Sequence, residues 1–132
     1  MFGEVQIRYN RLHGMDQRIR QQAARVVKSY ALQGEGMVKA SMAEPKSGRM
    51  YGDHQASAPG ESPAIDIGHL AASVQASEES ALAWEVAVNA DYGIYLEYGT
   101  VHMAPRPYMA PMAEALRGPF ISDMRNVAEG AA

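Results

Sequence analysis

Four histidines and two nearby aspartates are the side chains of this chain that could bind a metal ion. Asp53 and Asp66 stand close in sequence to some of the histidines, which are His13, His54, His69 and His102. Their spacing matches no established ligand pattern, such as two histidines one helical turn apart. The chain has no cysteine, which excludes a thiolate zinc site and a cysteine nucleophile. We therefore predict neither a metal site nor a cofactor site.

Serine-hydrolase and phosphate-loop chemistry find equally little support. Ser57, Ser62 and Ser73 could each be combined on paper with a histidine and an aspartate, but none stands in a Gly-x-Ser-x-Gly elbow. The segment APGE at 58–61 has one glycine and no following Lys-Ser or Lys-Thr, so it is not a phosphate-binding loop. We predict no catalytic residues, and hence that the protein is not an enzyme.

The apolar pattern predicts one α+β domain of 132 residues, with a small, mainly antiparallel sheet packed by a long N-terminal helix and a C-terminal helix. Residues 12–43 have apolar side chains three and four apart, which indicates the N-terminal helix. Residues 47–64 are rich in Gly, Ser, Pro and Ala and predict an extended loop, with Arg49-Met50-Tyr51 as a short strand. Residues 65–99 hold the sheet and short helices, and residues 107–128 form the C-terminal helix.

Within residues 65–99, large apolar residues alternate with small or polar ones over 82–89, which predicts a strand with one buried face. A short helix over 67–74, with Asp66 as its N-cap, is expected before a turn at 78–80. Asp91 is expected to cap the next helical turn, which Gly99 would end.

The C-terminal helix has prolines near both its start and its middle. Pro107 is expected at the first helical position, where a missing N–H costs nothing. The pair Gly118-Pro119 should bend or split the helix, since an interior proline costs about 3 kcal/mol.

An arginine between two prolines is the most unusual feature of residues 92–111. Pro105 and Pro107 fix φ on both sides of Arg106, so its guanidinium is presented from a stiff segment. Glu97 is near enough in sequence to pair with Arg106, either within the chain, anchoring the last helix, or across a subunit boundary. The tyrosines of this segment suit a protein core and a protein interface alike.

This segment and residues 55–70 resemble, in order and spacing, the two signature segments of the HK97 gp10-like family of tailed-phage proteins. The first signature is a loop of small residues and proline, an Asp and then Gly-x-Leu, matched here by Ala58, Pro59, Gly60, Glu61, Pro63, Asp66, Gly68 and Leu70. The second runs from a Tyr through Glu-x-Gly-Thr to an Arg-Pro pair and a later Pro, matched by Tyr92, Glu97, Gly99, Thr100, Met103, Arg106, Pro107, Tyr108 and Pro111. Ser62, Ile67, His69 and Pro105 depart from the usual pattern.

The resemblance implies a structural virion protein, a tail-completion or head–tail joining component of a tailed phage or prophage. Such a protein forms a ring, with six copies expected, in the neck between the head connector and the tail tube. The implied partners are other copies of the chain and the neighbouring stopper or connector, tail terminator and tail tube proteins. Assembly would take place in the cytoplasm of the host bacterium. The alternative that stays open is a small virion-associated hydrolase using His54, His69 or His102.

The charge of the chain is unevenly divided. Up to Arg49, nine basic and four acidic residues give a net charge of +5, whereas three basic and eleven acidic residues after it give −8. Opposite patches of this kind favour head-to-tail contact between copies, and a basic, solvated helix face explains them equally well. Weak, non-specific proximity to phage DNA is compatible with the basic half. No apolar run approaches the ~20 residues of a membrane span, so no membrane partner is expected.

Overall fold

The computed structural model describes residues 17–63 and 69–130, and within them the fold is α+β, as the sequence predicts. Two helices are long, α1 at Gln17–Ala43 and α4 at Met109–Ala128. Two are short, α2 at His69–Ser73 and α3 at Gly93–Tyr98. The strands form two antiparallel pairs, β1 (Met50–Tyr51) with β2 (His54–Gln55), and β3 (Val74–Ser80) with β4 (Ala83–Val88). No helix in this part of the chain combines the length and apolarity that crossing a membrane requires.

The helix α1 supplies one wall of the core. Its buried residues lie on one face at spacings of four and seven, and they are Ala23, Val27, Gly34, Val38 and Met42. The predicted end at residue 43 is confirmed, and residues 12–16 lie outside the described part. A Cβ added to Gly34 would lie 3.0 Å from the sulfur of Met112, so this glycine lets α4 approach closely.

The β3–β4 hairpin packs its buried side chains against α1. The strand predicted over 82–89 is confirmed as β4, which is one residue shorter at each end and whose residue Val88 stands opposite Val74. The predicted helix over 67–74 is wrong in its last residue, since Val74 begins β3, and the expected turn at 78–80 belongs to that strand. Most of β3 is polar and exposed, so pairing with β4, rather than its own hydrophobic pattern, makes it a strand.

The predicted caps of the two short helices have different outcomes. Asp66, the expected cap of α2, lies outside the described residues. The N-cap of α3 is Tyr92 rather than Asp91, and no side-chain hydrogen bond caps it. In the described part of the predicted loop, residues 47–63, the short strand predicted over 49–51 is found as β1, since Met50 and Tyr51 pair with Gln55 and His54.

The helix α4 closes the core and continues through its proline. Its N-cap is Tyr108, so the prediction that Pro107 occupies the first helical position is wrong by two residues. Pro119 lies inside the helix without splitting it. Contacts with α1 hold this part in place. The ring centroids of Tyr30 and Phe120 lie 5.3 Å apart with the rings nearly perpendicular, and the hydroxyl of Tyr30 donates a hydrogen bond to Asp123.

The main core joins α1, the β3–β4 hairpin and the start of α4. Its buried members are Val38, Met42, Val74, Val86, Tyr108, Met109 and Met112. Because Tyr108, Met109 and Met112 all lie within the five residues at the start of α4, anything that orients this helix end also shapes the core.

Candidate functional site

A buried carboxylate holds the start of α4. Glu97, on α3, is only 7% exposed. Its Oε1 accepts hydrogen bonds from the backbone N–H groups of Tyr108 and Met109, at 3.1 and 2.9 Å. Its Oε2 accepts one from Ala110 at 3.1 Å. These N–H groups have no partner within the helix, and a negative charge there also complements the helix dipole.

The expected Glu97–Arg106 ion pair does not form within the chain, because the carboxylate of Glu97 accepts hydrogen bonds from the backbone at the start of α4. Arg106 turns toward the loop at 55–61 and donates from Nε to the carbonyl of Ser57 at 3.3 Å. Its Nη1 donates to the carbonyl of Ala104 at 3.2 Å, and its backbone N–H to that of Leu96 at 2.7 Å. Arg106 thus fastens a loop from elsewhere in the chain to the segment that joins α3 and α4.

The turn between α3 and Arg106 depends on a glycine. Gly99 has φ of +77°, a conformation that side chains disfavour, and an added Cβ would lie 2.7 Å from the carbonyl oxygen of Met103. The sequence predicts that Gly99 ends α3 in the left-handed C′ position; it does end the helix with a positive φ, but as the C-cap and with a ψ of 178°, outside the left-handed helical region. Thr100 and Met103 exchange two backbone hydrogen bonds directly after it, so Val101 and His102 form an exposed turn.

The first motif meets the second in space. The N–H of Gly60 donates to the carbonyl of Pro105 at 3.0 Å. Glu61 accepts hydrogen bonds from the backbone of Ala58 at 2.6 Å and of Ser47 at 3.1 Å, and these bonds lower its pKa. The loop is therefore folded around its own carboxylate and bonded to the segment that carries Arg106.

The remaining motif residues divide between core and surface. Leu70 packs against the core from α2, and Pro63 is buried, whereas Pro59 is exposed. Pro107 and Pro111 line a cleft of about 510 Å³ that also borders Gly60 and Glu61. Asp66 and Gly68 lie outside the described residues.

Tyr108 joins the two helices from the inside. It is 3% exposed, and its hydroxyl donates to the carbonyl of Gly93 at 2.7 Å. Burial, together with the nearby charge of Glu97, raises its pKa to about 12. A tyrosine in this state is a neutral hydrogen-bond donor at physiological pH and a poor acid or base.

The three histidines of the hydrolase alternative lie on three different elements. His54 is in β2, His69 begins α2, and His102 is in the turn after α3. Among the described residues, no three acidic or histidine side chains form a group that could hold a metal ion. The arrangement around Glu97 and Arg106 is made of hydrogen bonds to backbone groups, and such bonds fix chain segments in place.

An apolar groove beside α3 is the feature that sequence reasoning missed. Its volume is about 570 Å³, and it lies between β4 and the side chains of Ile94 and Tyr98. The sequence indicates that the tyrosines of this segment suit a core or an interface, but it does not single out Ile94 and Val101. The signal was present, because a six-residue helix with apolar residues on every side cannot bury all of them.

Fold and site together define a small α+β domain whose motif residues join chain segments and leave an apolar surface uncovered. Comparison of the chain with protein-family models, with curated proteins and with solved structures finds no match.

Proposed function

We propose that the chain is a structural virion protein of a tailed phage or prophage, a tail-completion component that forms a ring in the neck. The observation that carries this proposal is the direct bonding of the two segments that resemble the HK97 gp10-like signatures. Gly60 and Arg106 lie far apart in sequence, yet each supplies a hydrogen bond between these segments, to Pro105 and Ser57 respectively. Two segments that resemble one family and also bond to each other support the resemblance better than sequence similarity alone.

The chemistry of this unit favours an assembly role over catalysis. The carboxylates of Glu97 and Glu61 are both engaged by backbone N–H groups, so neither is set up as a general base. A stiff joint is what a ring component needs, because a rigid surface loses little entropy on docking. In this role the protein acts by binding its neighbours, with no cofactor or metal.

The surface supports contact with other proteins. Tyr95 and Tyr98 are each more than half exposed, as is Tyr51 on the β1–β2 hairpin. Exposed aromatic side chains are enriched at protein interfaces. The proposed partners are other copies of the chain, with a ring of six expected, and the stopper or connector, tail terminator and tail tube proteins. The proposed location is the virion neck, after assembly in the bacterial cytoplasm, with the basic side of α1 near the passing DNA.

Deletion of the coding sequence from the phage or prophage that carries it tests the proposal. Heads filled with DNA and separate tails should accumulate, and the wild-type chain supplied in trans should restore joined particles that contain it. Normal particles without the protein would contradict the proposal.

A variant that lacks the three candidate histidines separates assembly from hydrolysis in the same experiment. His54→Ala, His69→Ala and His102→Ala combined should restore joining as well as the wild type, because no proposed contact uses these side chains. Wild-type levels of the stable triple variant without recovery of infectivity would favour the hydrolase instead.

A further inference from the structure

The helix α3 leaves one face uncovered. Ile94, Tyr95 and Tyr98 are 60%, 57% and 63% exposed, and Val101 in the following turn is 95% exposed. Buried contacts are made by the other face, through Gly93 and Glu97. Several large apolar side chains grouped on six residues and a turn form a patch of the kind that marks a protein interaction site.

The groove beside this face has a wall made by a strand edge. Four consecutive residues of the chain, Val86 to Asn89, line it. Because successive side chains of a strand point to opposite faces, a groove that meets all four runs along the backbone edge of β4. The charged residues among the described lining are both acidic, and while Glu97 is engaged by α4, Asp91 is exposed at the rim.

The β1–β2 hairpin has exposed apolar side chains and a basic residue, which complement the apolar groove and its acidic rim. Met50 and Tyr51 are 54% and 58% exposed, and the guanidinium of Arg49 lies 5.3 Å from the centre of the Tyr51 ring. The two strands contact each other more than any other described element. A two-residue ribbon of this kind is only marginally stable alone, so covering its apolar side chains would stabilise it.

We infer that the hairpin of one copy docks in the groove between β4 and α3 of the next copy. Met50 packs on Ile94 and Tyr98, while Tyr51, on the opposite face of the hairpin, covers the wall formed by β4, and Arg49, on the same face as Tyr51, lies beside Asp91. Asp53, in the turn of the hairpin, would be repelled by Asp91, so the charges also select the orientation.

The occupant is a second copy because one chain carries both complementary surfaces. An interface between two different surfaces of identical chains is heterologous, and such interfaces close into rings when the rotation permits. The inference therefore rests on the proposed ring and adds the surfaces that form it.

Mixed single-cysteine variants test the contact, since the natural chain has no cysteine. Met50→Cys on a tagged chain and Ile94→Cys on an untagged chain should form a mixed disulfide under mild oxidation. The matched control replaces Ile94→Cys by Ile121→Cys, which is 48% exposed but lies on α4. The Ile94 pair should give about 10-fold more mixed dimer, the ratio expected from a specific contact worth roughly 1.4 kcal/mol. Equal yields would overturn the inference.

Charge exchange provides an independent arm. Arg49→Glu and Asp91→Arg should each lower the yield of the Met50–Ile94 disulfide about 10-fold, because like charges then meet. The two changes combined in every chain should restore it. If light scattering shows rings of the wild type while both charge variants assemble normally, the inference fails and the proposed function stands. If tail proteins, rather than a second copy, form the disulfide with Met50→Cys, the groove belongs to another partner and the inference is also overturned.

Discussion

The two faces of α3 differ in their exposure and in the contacts that they make with the rest of the domain. Toward the core, Gly93 is packed against Tyr108 and Glu97 is hydrogen-bonded to three backbone N–H groups. Toward solvent, Ile94, Tyr95 and Tyr98 cover little of the protein's own surface. The same six residues therefore contain one set that builds the fold and another that the isolated domain does not need. The motif residues include Glu97 from the first set and none of Ile94, Tyr95 and Tyr98, and mutations should separate the two sets.

Loss of the Glu97 carboxylate is expected to have the largest effect on stability. Glu97→Ala leaves three N–H groups at a buried helix end without acceptors, which should lower the free energy of unfolding by about 3–5 kcal/mol. Urea unfolding followed by circular dichroism measures the change. Glu114→Ala, at an exposed position of α4, is the matched control and should change stability by no more than about 0.5 kcal/mol. Equal unfolding midpoints for the two variants would show that the inner face of α3 does not stabilise the fold.

The glycine that ends α3 should come second. Gly99→Ala places a Cβ 2.7 Å from the carbonyl oxygen of Met103 at a φ of +77°, and should cost about 2–3 kcal/mol. Gly36→Ala is the control, because an added Cβ there meets open space in the middle of α1. That change should stabilise the protein by about 0.5–1 kcal/mol. A Gly99→Ala protein with wild-type thermal stability would show that the turn has another conformation.

The sequence predicts the large elements because their pattern is local. Apolar residues spaced three and four apart specify α1, and alternation specifies β4, without knowledge of what covers them. The strand β3 escaped prediction because the segment VQASEES has one strongly apolar residue, and its partner β4 comes later in the chain. Pairing between strands is a tertiary effect that a window of sequence does not contain.

The site was half predictable for a related reason. Several motif residues bond to one another in the fold, as Glu97 does with Tyr108 and Thr100 with Met103, and the end of α3 at Gly99 follows from the glycine itself. The partner of Glu97 did not follow, because opposite charges in a sequence suggest an ion pair more readily than a carboxylate bound to backbone N–H groups. Only the path of the chain from α3 to α4 places the start of α4 within reach of Glu97.

The hydroxyl of Tyr108 should have a moderate, pH-dependent effect. Tyr108→Phe removes the hydrogen bond to Gly93 and should cost about 1 kcal/mol near pH 7. In the folded protein the pKa of Tyr108 is raised to about 12, above the 10 of a free tyrosine. A raised pKa in the folded state gives a contribution that is complete below pH 10 and is lost as the pH rises toward 12. Urea titrations should therefore show stability falling more steeply between pH 10 and 12 in the wild type than in Tyr108→Phe. Parallel curves over that range would contradict the burial of this hydroxyl.

The outer face of α3 should contribute least to stability and most to association. Tyr95→Ser combined with Tyr98→Ser removes exposed side chains, so the free energy of unfolding measured in urea should change by no more than about 0.5 kcal/mol. Aromatic residues at an interface often contribute 2 kcal/mol or more to binding, so self-association measured by sedimentation should weaken more than about 10-fold. Ile121→Ser, which also removes an exposed apolar side chain, should change neither quantity. If the double tyrosine variant unfolded as readily as Glu97→Ala, both faces of α3 would serve the fold, and its exposed tyrosines would no longer indicate a binding surface.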